Sequence, residues 1–218
     1  ETRRGIAKAM ISGAVSLAVD AGLKRVEVLC RREFPELADW WGKHGFGLLR
    51  ENASGIVLGR DLPVAVTVPT PDAMHALGVE LAGLLRAGDV IIATGELGAG
   101  KTTLARGIGE GLGVEGPVIS PTFVLSRIHP SRGGGPDLVH VDAYRMAGAD
   151  ELADIDLDAT LPGSVTLVEW GEGIAEWLSD ERLEIDIDRE IGDEARRVTL
   201  TGTGPRWAGA LEALRRNP

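Results

Sequence analysis

The stretch Gly95-Glu96-Leu97-Gly98-Ala99-Gly100-Lys101-Thr102-Thr103 decides the fold of this chain. It fits the pattern G-x-x-x-x-G-K-[ST], the phosphate-binding P-loop, whose glycines let backbone N–H groups converge on phosphate oxygens. A hydrophobic run from Val90 to Ala93 precedes it and a helical pattern from Thr103 to Leu112 follows, as the motif requires. The sequence therefore predicts a nucleotide-binding loop made of these nine residues, against the alternative of a glycine-rich turn.

Two side chains of this loop have a predicted chemical role. Lys101 would neutralise charge at the β- and γ-phosphates, and the Thr102 hydroxyl would hold Mg²⁺. The positive end of the following helix would add to the attraction for phosphate. We therefore expect this loop to bind a nucleotide together with Mg²⁺.

Composition and charge bound the class of protein. The 218 residues are 44% hydrophobic and 26% charged, which is ordinary for a soluble globular protein. A net charge of −10 argues against autonomous binding to a nucleic-acid backbone, so we expect a partner to hold any RNA.

Targeting signals and cysteine usage favour the cytoplasm. No apolar run approaches the ~20 residues of a membrane span, the first residues carry no secretory signal, and the single Cys30 excludes an internal disulfide. We expect a cytoplasmic protein with no membrane partner. The sequence also starts without Met and within a recognisable pattern, so we expect it to be a fragment of a longer protein.

Hydrophobic periodicity divides the chain into residues 1–60 and 61–218. In the first part it predicts helices over 4–20 and 35–44 and strands over 26–29, 46–50 and 55–58. In the second part it predicts strands over 64–68, 90–93, 124–128, 138–142, 165–168, 183–187 and 197–201, and helices over 71–86, 103–112, 150–156, 171–178 and 207–216. This alternation predicts a P-loop NTPase-like, three-layer α/β domain with a largely parallel sheet.

An acidic residue at the end of a strand completes the predicted nucleotide site. The apolar strand 165–168 ends at Glu169, in a Walker-B-like arrangement that would hold Mg²⁺ through a water or orient the attacking water. Trp170 follows, and such a Trp either stacks on the base or packs in the core.

Two further clusters are ambiguous when taken alone. In His140-Val141-Asp142-Ala143-Tyr144-Arg145, alternation places His140, Asp142 and Tyr144 on one side of a strand. Asp142 is then either a metal or water ligand or part of a polar strand end. In Ser120-Pro121-Thr122-Phe123, the Thr122 hydroxyl either senses the γ-phosphate or Mg²⁺, as in a switch loop, or belongs to an ordinary turn.

The order and spacing of these four motifs resemble the TsaE family, the bacterial P-loop ATPases of tRNA threonylcarbamoyladenosine (t6A) synthesis. The resemblance covers residues 64–214. It implies that Thr122 belongs to the ATP site, that Lys101, Asp142 and Glu169 are catalytic, and that Trp170 contacts the nucleotide. It likewise implies Mg²⁺ ligation by Thr102, Asp142 and Glu169. The glycine-rich insert over 131–136 departs from the family pattern without touching these residues.

The resemblance also implies partners and a role. Members of the family bind and slowly hydrolyse ATP and associate with the TsaB–TsaD pair, in which TsaD modifies adenosine 37 of ANN-decoding tRNAs. The ATPase is thought to reset that complex between turnovers, so tRNA would be contacted only indirectly.

The first part of the chain is similar to the C-terminal half of a GNAT (RimI-like) N-acetyltransferase. The resemblance rests on Arg3-Arg4-Gly5-Ile6-Ala7 and on Trp40-Trp41-Gly42-Lys43-His44-Gly45-Phe46. Thr2 stands where the family's CoA motif has Arg or Gln, and the N-terminal half of the fold is missing. We expect no acetyltransferase activity from this chain and acetyl-CoA binding only in a fused full-length parent. A CoA contact by Arg4, Gly5 and Ala7 is the residual possibility.

Two other functions compete with the ATPase subunit. A small-molecule P-loop kinase would need an arginine-bearing lid, for which the insert over 131–136 is poorly suited. A CoA-binding or acetyltransferase module with an accessory ATPase domain would need the missing half of the GNAT fold.

Overall fold

The strands and helices fall into two units in the computed structural model, Glu1–Pro63 and Val64–Pro218. The structure describes residues 2–34, 36–42, 44–189 and 194–215, without the side chains of residues 2–6, 8 and 20. The division lies three residues after the boundary expected from the sequence. None of the described helices has the length and the apolar run needed to cross a membrane.

The first unit is an antiparallel three-stranded sheet with two helices. Its elements are α1 (Thr2–Asp20), β1 (Arg25–Arg31), α2 (Glu36–Gly42), β2 (Gly47–Asn52) and β3 (Gly55–Asp61). The strand order is β1-β3-β2, and the core is built on Ile11, Cys30, Phe46 and Leu58. Trp41 lies edge-on to Phe46 with ring centroids 4.8 Å apart.

Several sequence expectations for the first unit lie outside the described residues. Pro35, the predicted start of the second helix, and Lys43, inside the quoted GNAT motif, are two of them. The surroundings of Arg4 and Gly5 are not described either, so the expected CoA contact stays a prediction.

The second unit contains seven strands and three α-helices among its described residues. The strands are β4 (Val64–Val68), β5 (Val90–Gly95), β6 (Ser126–His129), β7 (Asp137–Asp142), β8 (Ser164–Glu169), β9 (Arg182–Arg189) and β10 (Arg196–Thr203). The helices are α3 (Pro71–Ala82), α4 (Lys101–Leu112) and α5 (Ala149–Ala153). Short 3₁₀ helices occupy Leu157–Ala159, Leu161–Gly163, Glu176–Leu178, Pro205–Trp207 and Ala210–Leu214.

The seven strands form one mixed sheet in the order β4-β10-β9-β5-β8-β7-β6. The four central strands, β9, β5, β8 and β7, run parallel, whereas the pairs at both edges are antiparallel. Parallel strands covered on both faces read as continuous hydrophobic runs, as in Val90-Ile91-Ile92-Ala93. The expected α/β fold with a largely parallel sheet is therefore confirmed for the centre of the sheet.

Two apolar cores cover the two faces of this sheet. On one face α3 and α4 pack against a set that includes Ile91, Leu167 and Ile185. On the other, α5 and the short 3₁₀ helices pack against a set that includes Ile92, Val141 and Val168. The result is three layers, with a much thinner helical layer on the second face.

Some predicted elements were wrong in length or type. The helix predicted over 71–86 ends at Ala82, although Thr70 caps it as expected by accepting a hydrogen bond from the Ala73 N–H at 3.1 Å. The helix predicted over 171–178 is a turn followed by a 3₁₀ helix. The helix predicted over 207–216 consists, up to the last described residue 215, of turns and 3₁₀ helices, and Gly209, at φ +71°, interrupts it. The strand predicted over 124–128 begins only at Ser126, because Leu125 adopts φ +63°.

Candidate functional site

The loop between β5 and α4 has the backbone of a phosphate cradle. Its three glycines, Gly95, Gly98 and Gly100, have φ values of +145°, +79° and +117°, a region that favours glycine. At Gly95 a Cβ atom would also lie 2.6 Å from the Ile187 carbonyl oxygen. Helix α4 starts at Lys101, and the first turn of a helix leaves its N–H groups without intrahelical acceptors.

Lys101 lies under this loop and is only 5% exposed. Its Nζ donates to the carbonyl oxygens of Gly95 at 2.6 Å and Glu96 at 3.0 Å. It also lies 3.7 Å from the centroid of the Trp170 ring. Burial lowers the pKa of the Lys101 ammonium, while the charges of Glu169 and then Asp142 act in the opposite direction.

Glu169, at the end of β8, joins the loop to the sheet. The Thr102 hydroxyl donates to its Oε1 at 2.9 Å and lies 3.2 Å from its Oε2. The Nε2 of His140, on the neighbouring strand β7, lies 2.8 Å from the same Oε1. The carboxyl ends of the parallel strands β5, β7 and β8 thus bring these three side chains together.

Asp142, at the end of β7, faces a different set of groups. It is the register partner of Glu169. Its Oδ2 accepts hydrogen bonds from the hydroxyls of Ser120, at 3.1 Å, and Thr122. Its Oδ1 accepts the Tyr144 N–H at 3.0 Å, an Asx-type turn that ends the strand. Asp142 therefore attaches the segment 120–125 to the site.

Trp170 follows Glu169 in a left-handed backbone conformation with φ +62°. Its N–H donates to the Ala93 carbonyl at 3.0 Å, and its ring lies 5.0 Å from the Tyr144 ring. Unusual backbone at a non-glycine residue is costly and clusters at functional sites. The ring consequently stands beside Lys101, at the edge of the phosphate cradle.

The residues present fit ATP and Mg²⁺. A Mg²⁺ ion of a P-loop takes a hydroxyl, phosphate oxygens and waters, with carboxylates close by. Thr102, Glu169 and Asp142 would supply the protein part of that set. Within the described residues, no group of three or more His, Cys, Asp or Glu side chains is arranged to hold a metal by itself.

The structure brings the predicted site residues of the second unit together around one loop. These are Gly95, Glu96, Leu97, Gly98, Ala99, Gly100, Lys101, Thr102, Thr103, Thr122, Asp142, Glu169 and Trp170. The placement of Tyr144 on the strand was wrong, because β7 ends at Asp142.

Two contacts were not anticipated from the sequence, those of His140 with Glu169 and of Ser120 with Asp142. The sequence predicted that His140 and Asp142 share one side of a strand. It did not predict that β8, which ends at Glu169, is the neighbour of that strand in the sheet.

Exposed apolar side chains surround the mouth of the site. Leu97, Phe123, Val124 and Tyr144 are 82%, 84%, 57% and 56% exposed. The Arg145 guanidinium lies 4.7 Å from the centroid of the Phe123 ring. Clustered exposed apolar groups commonly mark a surface that binds another molecule.

Known proteins are similar in sequence to the second unit of this chain. The family model "Threonylcarbamoyl adenosine biosynthesis protein TsaE" matches residues 68–198, inside the second unit. The tRNA threonylcarbamoyladenosine biosynthesis protein TsaE of Streptomyces coelicolor is 62% identical over 141 residues, 63% of this chain and 95% of that protein.

More distant relatives agree. The protein of the same name from Bacillus subtilis is 42% identical over 148 residues, 67% of this chain and 90% of that protein. The crystal structure of Bacillus subtilis YdiB superposes with a TM-score of 0.58 and 36% identity, covering 70% of this chain and 93% of that one.

Proposed function

Since the chain belongs to the TsaE family of threonylcarbamoyl adenosine biosynthesis proteins, we propose that it is an ATP-binding subunit in the t6A modification of tRNA. Its activity would be slow, Mg²⁺-dependent ATP hydrolysis, and its place of action the cytoplasm. The observation that carries the proposal is the 2.9 Å contact between the Thr102 hydroxyl and Glu169, which joins the P-loop to the acidic strand end.

In this proposal the backbone and the side chains of the loop have different roles in binding ATP. Backbone N–H groups of the loop and the first turn of α4 bind phosphate oxygens, and the Lys101 ammonium neutralises their charge. The Lys101 contacts with Gly95 and Glu96 keep the ammonium next to the loop. Trp170 stands where it would contact the nucleotide.

The metal ion, when bound, offsets the negative charge that develops on the phosphates. Thr102 would hold it, with Asp142 and Glu169 contacting it directly or through water. One of these carboxylates would also orient the attacking water. Lys101, Asp142 and Glu169 are therefore the proposed catalytic residues.

Thr122 links the site to the molecular surface. Its hydroxyl bonds to Asp142, and Phe123 beside it is exposed. A change at Asp142 on nucleotide binding would shift this segment, as in switch loops. We propose that the apolar groups around it contact the TsaB–TsaD pair, whose TsaD subunit would modify adenosine 37.

The net charge of −10 supports an indirect relation to tRNA. In this proposal the partner proteins hold the tRNA, and ATP hydrolysis resets their complex between turnovers.

Nucleotide binding is tested by calorimetry with ATP and Mg²⁺. We expect Lys101→Ala to weaken ATP binding at least about a hundredfold, since charge-assisted bonds to the phosphates are lost. Lys24→Ala, the same substitution in the first unit, should leave the affinity unchanged. Equal affinity of Lys101→Ala and the unsubstituted chain would contradict the proposed site.

We also propose that residues 1–60 derive from the C-terminal half of a GNAT acetyltransferase in a fused parent protein. The packing of Trp41 on Phe46 supports this, since both belong to the resembling motif. This chain should neither bind acetyl-CoA tightly nor transfer acetyl groups. Calorimetry with acetyl-CoA checks the first point, and a radiolabelled acetyl-transfer assay checks the second.

A further inference from the structure

His140 is a fully buried polar residue to which the mechanism above assigns no role. It lies on β7, on the face of the sheet that packs against α4, and its exposure is 0%. Its Nε2 lies 2.8 Å from Oε1 of Glu169. Among the described residues its Nδ1 has no hydrogen-bond partner. Among the described residues, the imidazole of His140 is therefore hydrogen-bonded to Glu169 alone.

The chemistry of the pair fixes its direction. An ionised carboxylate only accepts hydrogen bonds, so Nε2 carries the hydrogen and donates it to Oε1. That oxygen also accepts the Thr102 hydroxyl at 2.9 Å. Glu169, itself 3% exposed, is consequently fixed by one donor from the sheet and one from α4.

The Thr102 hydroxyl needs this acceptor when it binds a metal. A hydroxyl oxygen that gives a lone pair to Mg²⁺ keeps its hydrogen, which still has to be donated elsewhere. Glu169 is the acceptor that the structure provides. Groups that orient a ligand in this way tune metal binding although they do not touch the ion.

We propose that His140 is a positioning residue for the metal part of the site. Its Nε2–H fixes the Glu169 carboxylate so that it accepts the Thr102 hydroxyl and leaves the Thr102 oxygen free to bind Mg²⁺. This inference rests on the proposed function, because it assumes that Mg²⁺ binds at Thr102 with the nucleotide. It assigns a role to the hydrogen bond between His140 and Glu169, which the proposed nucleotide contacts do not involve.

Three variants of His140 separate its hydrogen bond from its volume. In His140→Gln the amide nitrogen stands three bonds from Cβ, as Nε2 does, and can donate to Glu169. In His140→Asn the amide nitrogen stands two bonds from Cβ, as Nδ1 does, and falls short. His140→Leu fills the space without a donor. The matched control is Thr166→Val, which removes a buried polar group on the opposite face of β8, a hydroxyl that has no hydrogen-bond partner among the described residues.

The measurement is the affinity for ADP by calorimetry, with Mg²⁺ and with EDTA, on the full chain. The ratio of the two affinities reports the metal contribution and requires no turnover. We expect His140→Asn and His140→Leu to lose about tenfold to a hundredfold of this ratio. His140→Gln should retain most of it, Thr166→Val should retain all of it, and the affinity in EDTA should be the same throughout.

Three results would overturn the inference, and they are distinguishable. If the unsubstituted chain shows a Mg²⁺-dependent affinity that all three His140 variants keep, His140 does not position the site, although the proposed function stands. The same holds if the variants lower only the melting temperature in EDTA. If the unsubstituted chain gains no affinity from Mg²⁺, the proposed metal site fails and the role of His140 fails with it.

Discussion

At the scale of single residues, the two buried carboxylates of the site have different partners. Glu169 accepts from Thr102 in the P-loop, whereas Asp142 accepts from Ser120 and Thr122 in the segment that leads to the exposed Phe123. Glu169 is thus hydrogen-bonded to the P-loop, and Asp142 to the segment that reaches the surface.

Neutralising either carboxylate should impair hydrolysis more than binding. Glu169→Gln and Asp142→Asn keep the shape of the side chain, so phosphate contacts to the loop and Lys101 remain. Placement of Mg²⁺ and of the attacking water is lost, which we expect to lower kcat about a hundredfold or more.

Calorimetry and a phosphate-release assay on the same samples provide the comparison. With EDTA in place of Mg²⁺, the dissociation constant for ATP should change only a few-fold. An equal loss of binding and hydrolysis would assign these carboxylates to the structure of the unit instead.

We expect His129 to make the stability of the protein depend on pH. Burial, followed by the charges of His140 and Arg127, lowers the pKa of His129, and the Glu115 backbone acts in the opposite direction. Below the unfolded value of about 6.5, the unfolded chain binds a proton that the folded chain binds only at lower pH. The free energy of unfolding should therefore fall as pH falls from 7.5 through this window.

Urea unfolding at pH 7.5 and 5.5 checks this expectation. His129→Gln removes the titrating group and should reduce the loss of stability between the two pH values. His75→Gln, at a partly exposed histidine, is the control and should not. An identical loss in His129→Gln and the unsubstituted chain would exclude the buried histidine as the cause.

The sequence predicted the loop residues because G-x-x-x-x-G-K-[ST] is a local pattern with a local structure. It did not predict the contact of His140 with Glu169, which are 29 positions apart. Such a contact depends on which strands are neighbours in the sheet, and periodicity within one strand contains no information about that.

At the scale of elements, the close approach of α3 and α4 positions the P-loop helix. A Cβ atom at Gly107 of α4 would overlap the His75 carbonyl oxygen and lie 3.0 Å from the Cα of Gly78. Both neighbours belong to α3. The helices can therefore pack this closely only without a side chain at position 107.

Gly107→Ala should destabilise the second unit, because α3 and α4 would have to move apart. We expect a loss of about 1–3 kcal/mol in the free energy of unfolding, the usual cost of overpacking a core. Gly13→Ala is the matched control, since an added Cβ in α1 meets no atom within 4 Å. Urea unfolding of both variants measures the effect, and equal stability would contradict the close packing.

Elements with strong local signals were predicted better than those without. Strands β5 and β8 and the cap at Thr70 followed from hydrophobic runs and capping chemistry. The regions 171–178 and 207–215 contain helix-forming residues, yet they form turns and 3₁₀ helices. Short segments such as these gain too little from helix propensity to resist tertiary packing.

At the scale of the whole molecule, the family match, residues 68–198, lies within the unit Val64–Pro218. Alternating strands and helices predicted its α/β class. The strands that pair only in antiparallel fashion, β4, β6 and β10, could not be placed in the sheet from the sequence, because their pairing is set by long-range contacts.

A chain of residues 64–218 should fold and bind ATP with the affinity of the full chain. Its apolar cores are built from residues of that unit alone. Circular dichroism and calorimetry measure folding and affinity. Loss of folding or a tenfold weaker affinity would mean that residues 1–63 contribute to the site.

The central claim is that this chain supports t6A formation through its ATP site. The direct measurement is t6A per tRNA, by nucleoside mass spectrometry, in a reaction with a TsaB–TsaD pair and threonylcarbamoyl donor over many turnovers. We expect that adding the chain with ATP increases t6A beyond a single turnover, and that Lys101→Ala abolishes the increase. A yield that does not change when the chain is added, or that is equally increased by Lys101→Ala, would contradict it.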